Sequence, residues 1–198
     1  MGWGRDELVL MYSGNMGLGH RFHEFLQVAA ETSHDHGLRW VFAGGGKRRG
    51  EVERFAAQRP AARVQLMPYA SADRLREHLC AADVHLVSLE AGWQGCMMPS
   101  KIQNVFAAGR PVIYVGPLDN SLARWILDAG AGWAVPANDI EGLARAIGET
   151  RDARERAVRG AAARRYAEAY FDRETNASRI CEWLEAAGPG AESDPPDR

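Results

Sequence analysis

Apolar and polar positions alternate in blocks along most of the chain. Leu8-Val9-Leu10-Met11-Tyr12 is a short continuous apolar run, and Phe22 to Ala30 then carries apolar residues at helical spacing. Trp40-Val41-Phe42-Ala43 follows, closed by Gly44-Gly45-Gly46, and Glu51 to Gln58 reads as helix. Val64-Gln65-Leu66-Met67 predicts a strand stopped by Pro68, and Ser71 is placed to cap a helix running through Cys80. Val84-His85-Leu86-Val87 is the next strand, and Pro99 suits the first turn of a helix that ends at Gly109. Pro111 to Val115 is again a strand, Asn120 or Ser121 caps a helix ending at Gly130, and Trp133-Ala134-Val135 reads as a last edge strand. From Asp139 onward the pattern is helical and increasingly charged.

Strands and helices in strict alternation predict parallel strands joined by crossover helices, hence an α/β doubly wound sheet. The strands are near-continuous apolar runs rather than alternating ones, as a sheet covered on both faces requires. Glu149 to Glu185 is rich in Ala, Arg and Glu, and the "GPGAESDPPDR" tail has little to bury. The expected organisation is one ordered domain over 1–187 followed by a disordered tail over 188–198, with no internal repeat.

The totals narrow the function classes. The chain has 198 residues, 46% hydrophobic and 25% charged, which suits one globular core. A formal net charge of -2 supplies no global basic field for nucleic acid. No apolar run approaches the roughly 20 residues of a membrane span, and "MGWGRDE" lacks the order of a signal peptide. Cys80, Cys96 and Cys181 are an odd number at no metal-like spacing. Reduced thiols in a cytoplasmic protein are expected. His23, His34, His36, His78 and His85 form no metal set, and His85, inside a strand, reads as a satisfied core histidine.

Three stretches carry candidate chemistry. "SGNMGLGH" follows the first strand, at the end where doubly wound sheets bind ligands. Gly14, Asn15, Met16 and Gly17 can turn backbone N–H groups toward an anion, with His20 and Arg21 placed to add side-chain charge. The glycines at 14, 17 and 19 do not fit the dinucleotide spacing, and no Lys-Ser/Thr closes a Walker loop. Second, "AGGGKRRGE" places Lys47, Arg48 and Arg49 either against a second phosphate or at a solvated helix start. Third, "SLEAGWQGCMMPSKIQNVFAAGRPVIYVGP" puts Ser100 and Lys101 in a first helical turn, with Asn104 one turn further on the same face. Two glycine corners, a helix start and several cations converging on one crevice describe a diphosphate pocket.

In these residues the chain resembles the GT-B glycosyltransferases. "YSGNMGLGHRF", "FAGGGKRR", "SADRLREHLCAADVHLVSL", "GCMMPSKIQNVFAAGRPVIYVGP" and "GAGWAVP" occur in the family's order, most like the retaining, family 4 type enzymes of bacterial capsule, O-antigen and exopolysaccharide synthesis. The resemblance covers about residues 8 to 187, with "PSK" followed by "AAGRPVI" as its most specific part. It implies the Rossmann-like, donor-binding half of such an enzyme, transferring a hexosyl unit from a UDP- or GDP-sugar to a saccharide or lipid-linked acceptor. By position, Gly14 to Gly17 with His20 or Arg21 correspond to the diphosphate turn, and Lys47 to a further phosphate contact. Pro68 and Tyr69 fall where the base is cradled, and Ser100 and Lys101 at the helix start that meets the phosphates. Asn104 stands where many relatives carry a ribose-binding glutamate. The first glutamate of the usual pair would fall near Cys96, so Glu90, Trp93 or Gln94 would contact the donor sugar instead. His20, Arg21 and Lys101 are the candidates for stabilising the leaving diphosphate.

The same resemblance implies a second, N-terminal acceptor domain, joined to this one or supplied by another chain. It implies no cofactor and no metal beyond the nucleotide-sugar substrate. A cytoplasmic place follows, with peripheral contact at the inner membrane face as a further reading. Two alternatives stand beside the leading one: a non-catalytic nucleotide-binding or assembly module acting with a partner chain, and a nucleotide-sugar epimerase on the same fold.

Overall fold

The computed structural model describes residues 3, 4, 6–97 and 100–187. Pro99 and the 188–198 tail lie outside them. Six strands form one parallel sheet: β1 (Leu8–Ser13), β2 (Leu38–Ala43), β3 (Val64–Met67), β4 (Val84–Ser88), β5 (Val112–Val115) and β6 (Gly132–Val135). Their order is β3-β2-β1-β4-β5-β6. The winding therefore reverses between β1 and β4, and a crevice opens beyond the carboxyl ends of those two strands.

Strand side chains alternate between two helical layers. Leu8, Leu10 and Tyr12 of β1, with Val84 and Leu86 of β4 and Ile113 and Val115 of β5, pack with α1 (His23–Glu31), α2 (Arg49–Gln58) and α6 (Ile140–Glu149). Val87, Val112 and Tyr114 point the other way, toward α3 (Leu75–Cys80), α4 (Lys101–Ala107), α5 (Ser121–Asp128) and α7 (Ala153–Tyr170). Both faces are covered, which explains why the strands read as unbroken apolar runs.

The helix ends follow local chemistry. Asn120, not Ser121, caps α5, its Oδ1 accepting from the Ala123 N–H at 2.9 Å. Asp139 caps α6 by accepting from the Gly142 N–H at 2.7 Å. Ser71 makes no side-chain cap, and a 3₁₀ turn over Ala72–Arg74 leads into α3 instead. Helix α7 buries small residues only: Gly160, Ala162, Ala163 and Ala167. A Cβ on Gly160 would stand 2.4 Å from the Gly109 carbonyl oxygen, so glycine lets α7 lie close against the end of α4.

The last helix, α8 (Arg173–Ala187), is solvent-exposed along nearly all its described side chains. Ile180, Trp183 and Leu184 form an i, i+3, i+4 apolar stripe with Trp183 70% exposed. Tyr170, at the end of α7, is also exposed, while Tyr166 packs against Phe106 and Phe171. No described helix is long and apolar enough to cross a membrane.

His85 sits inside β4 with Nε2 3.0 Å from the Leu79 carbonyl oxygen, and burial pushes its imidazole down to about 4. A folded pKa below the unfolded value of roughly 6.5 means that the unfolded chain binds the extra proton first. Stability from this group is complete above about pH 6.5 and is lost as pH falls toward 4, by up to about 3 kcal/mol. The melting temperature should fall across that window, and His85→Gln, which retains a donor for Leu79, should flatten the fall. Identical slopes for both proteins would show that His85 is not held neutral.

Candidate functional site

The site begins where β1 ends. Gly14 has φ +141°, which turns the chain sharply out of the strand. The Tyr12 hydroxyl donates to the Asn15 carbonyl at 2.6 Å and fixes the turn from below. The second glycine corner lies directly against the first. The Gly14 N–H donates to the Ala43 carbonyl at 2.9 Å, the Met16 N–H to the Gly45 carbonyl at 2.6 Å, and the Arg48 N–H to the Met16 carbonyl at 2.9 Å. The β1–β2 pairing thus continues past the strands as a zipped pair of loops. The Arg49 guanidinium binds the Gly44 carbonyl and, at 3.1 Å, the Met67 carbonyl, tying the third strand's end to the same knot.

These contacts set what each glycine of the two corners does. Gly17 needs no positive φ, and a Cβ there would meet only the Asn15 side chain, at 3.3 Å. The requirement falls on Gly14, Gly44 and Gly46, the latter two at φ +128°. The Met16 amide is already donated within the protein, and its side chain is fully buried. The Gly44–Gly46 corner backs the Gly14 corner, and Lys47 beside it is exposed.

A cavity of about 360 Å³ opens at the reversal point. Ser13, Gly14, Asn15 and His20 form its wall from the β1 side, and Ser100, Lys101 and Asn104 form it from α4. Tyr69, Ala70, Leu75, Leu79 and Met97 complete it. Of the residues expected at the site, Gly14, Asn15, His20, Tyr69, Ser100, Lys101 and Asn104 are thereby brought together. Tyr69 is exposed and donates its hydroxyl to the Gly45 carbonyl at 3.1 Å; Pro68 joins it in an adjoining surface hollow.

Lys101 is the unusual group. Its Nζ is buried with no hydrogen-bond partner among the described residues. It lies 3.6 Å from the centre of the Tyr12 ring, beside Gly14. The ring face attracts a cation, but among the described residues no carboxylate pairs with it. Burial pushes the amine down to about 7.

His20 and Arg21 differ from the cations that were expected. Burial, then the charges of Lys101 and Arg48, push the His20 imidazole down to about 4, so it is neutral near pH 7. Its Nδ1 lies 2.8 Å from the Ser88 carbonyl oxygen; that contact requires the proton on Nδ1 and leaves Nε2 as an acceptor. Arg21 is charged but occupied. It pairs with Glu24, with Glu90 at 2.9 Å and with the Asn138 Oδ1 at 2.9 Å. Burial works to raise the Glu24 carboxyl, and Arg21 with the Asn138 N–H overcomes it, holding the group ionised.

The loop after β4 divides its candidates. Glu90 bridges Arg21 and Arg48, the latter at 3.2 Å, and clasps this loop to both glycine corners. Trp93 is exposed and stands near Gly19, where a Cβ would lie 3.1 Å from Trp93 Cδ2. Gln94 donates to the Asp119 carboxylate at 2.8 Å and lines a separate cavity with Asn120 and Ser121. Sequence reasoning missed Tyr12 as a site residue. The signal was an aromatic as the last large side chain before the glycine turn, which reads equally as core. It also missed Ser13, whose Oγ lies 3.0 Å from Nε2 of His78. Among the described residues no group of three or more His, Cys, Asp or Glu side chains is arranged to hold a metal ion.

Known proteins share the fold that carries this cavity. The family model described as "Glycosyl transferases group 1" matches residues 7–152. The probable glycosyltransferase WbjE of Pseudomonas aeruginosa is 30% identical over 145 residues, 73% of this chain and 36% of that protein. The putative colanic acid biosynthesis glycosyl transferase WcaI of Escherichia coli K12 is 28% identical over 170 residues, 85% of this chain and 41% of that protein. The chain therefore spans well under half the length of these relatives. Anabaena Alr3699/HepE, crystallised with UDP and glucose, shares the fold at a TM-score of 0.73 and 16% identity, over 91% of this chain and 49% of that one. With the family match running across the whole sheet and all of the cavity's described walls, the chain belongs to the group 1 glycosyl transferases as a Rossmann-like domain of the GT-B fold.

Proposed function

We propose that this chain is the donor-binding half of a hexosyltransferase and holds a nucleoside diphosphate sugar in the crevice between β1 and β4. The observation that carries the reading is the unpartnered Lys101 amine at a cavity shared with the Gly14 turn, Ser100 and Asn104. Departure of a nucleoside diphosphate builds negative charge on its oxygens, and a fixed donor aimed there lowers the barrier. In this reading Lys101 meets the diphosphate, and the Nε2 of His20 accepts a hydroxyl of the ligand. Asn104 hydrogen-bonds the ribose, and Tyr69 with the Pro68 backbone borders the base. Arg21 acts indirectly, holding Glu90 and Glu24 while leaving the anion to Lys101. The bound UDP in the Anabaena relative's structure supports the ligand class.

The reading includes an acceptor-binding domain on the other side of the cleft. The exposed side chains of Ile180, Trp183, Leu184 and Tyr170 support it, since apolar side chains exposed among the described residues mark contact surfaces. The reading requires no metal. Titration calorimetry with UDP and GDP is the test. One of them should bind, unaffected by a chelator, and no sugar should be transferred until an acceptor domain of a related enzyme is supplied in trans. Binding of neither nucleotide would overturn the donor role. Transfer by the chain alone would overturn the two-domain requirement.

A further inference from the structure

The Tyr12–Lys101 pair has a consequence for which ligands the cavity accepts. Burial without an acceptor among the described residues disfavours the charge of this amine, and the Tyr12 ring face offsets only part of that cost. An anion entering the cavity would reverse that preference. We infer that Tyr12 and Lys101 form a phosphate-selecting pair: a diphosphate ester and a proton enter the cavity together, and the proton goes to Lys101 Nζ. The inference rests on the donor-binding reading and deepens it.

The groups around the amine support this assignment of the proton. From β1, Tyr12 faces it with a hydroxyl raised by burial above its ordinary range and already donated to the Asn15 carbonyl. Ahead of α1, His20 is pushed down to about 4. From β4, His85 is likewise pushed down to about 4, and from α3, burial lowers His78. Arg48, at the start of α2, contributes a charge that pairs with Glu90. Tyr69 contributes its hydroxyl to the Gly45 carbonyl. Lys101 is pushed to about 7, so it changes its proton count near neutrality. Tyr12 is a positioning residue here. Its ring holds the amine beside Gly14, where a side chain would press on the lysine at 3.2 Å.

The sign follows from linkage. Binding raises the Lys101 pKa, so a proton is taken up between the free value and the bound one, and affinity falls as pH rises above about 7. UDP-glucose is the probe, because both of its phosphates are esterified and neither titrates near neutral pH. Calorimetry at pH 7 in two buffers of different ionisation enthalpy should report uptake of about half a proton per ligand, rising toward one at higher pH. Lys101→Arg, a side chain that remains charged, should bind with no uptake and with affinity independent of pH across this window. Tyr12→Phe, which keeps the ring, should leave uptake unchanged. Binding of UDP-glucose to the unaltered chain with no proton uptake would overturn the inference and leave the donor role standing. Uptake that persists in Lys101→Arg would assign the proton elsewhere and overturn it too. Failure of the unaltered chain to bind UDP-glucose, GDP-mannose, UDP or GDP would overturn the donor reading itself, and the inference with it.

Discussion

Lys101→Met should weaken nucleoside diphosphate binding by about 1.5–3 kcal/mol, the scale of a charge-assisted hydrogen bond, and should at the same time raise the stability of the fold. The two effects have one origin. The free protein keeps this amine buried with no partner among the described residues, held at about 7 instead of the usual lysine range near 10.5. That depression of about three and a half units corresponds to a folding cost on the order of 4 kcal/mol near pH 7, since the unfolded chain binds the proton more tightly. Methionine matches the stem in length and removes the cost. Affinity for the bare nucleoside should hardly change. Thermal unfolding and calorimetry on the same preparation provide the check. Equal losses for nucleoside and nucleoside diphosphate would remove Lys101 from the phosphate site, and a lowered melting temperature would show that the amine has a partner in solution.

Gly44→Val should be the most damaging single change in the site. A Cβ there would lie 2.0 Å from the Gly14 carbonyl oxygen and 2.9 Å from its carbon, and φ is +128°. The clash is backbone against side chain, so no rotamer relieves it, and the two zipped loops must part. A loss of about 4 kcal/mol or more is expected, with nucleotide binding lost in whatever fraction remains folded. Gly17→Ala is the paired control. Its Cβ meets only the movable end of Asn15, and its cost should stay within about 1 kcal/mol. A tolerated Gly44→Val, or a Gly17→Ala as harmful as it, would show that the corners are not packed as described.

The legibility of the chain divides along a physical line. The six strands were readable because burial on both faces leaves unbroken apolar runs, and the crossover helices because their apolar stripes repeat at helical spacing. The crevice was readable for the same reason, since alternating elements fix where the winding reverses. Net charge at individual side chains was not readable. Arg21 looks like a free cation beside the glycine corner, yet besides the nearby Glu24 it is held by Glu90 and Asn138, far along the chain. His20 looks like a second cation, and only its burial against Ser88 shows it to be neutral. Which glycines need unusual backbone angles was hidden too. At Gly44 the need comes from a loop thirty residues earlier, about which local composition says nothing.

The zipped corners also bear on kinetics. A loop whose amides are already paired with a neighbouring loop has little freedom left to lose when a ligand arrives, and it cannot fold over that ligand as a lid. Association with nucleotide should therefore proceed in one step, its observed rate rising in proportion to concentration without reaching a plateau. The Met16 and Arg48 amides should exchange with solvent as slowly in the free chain as in the complex.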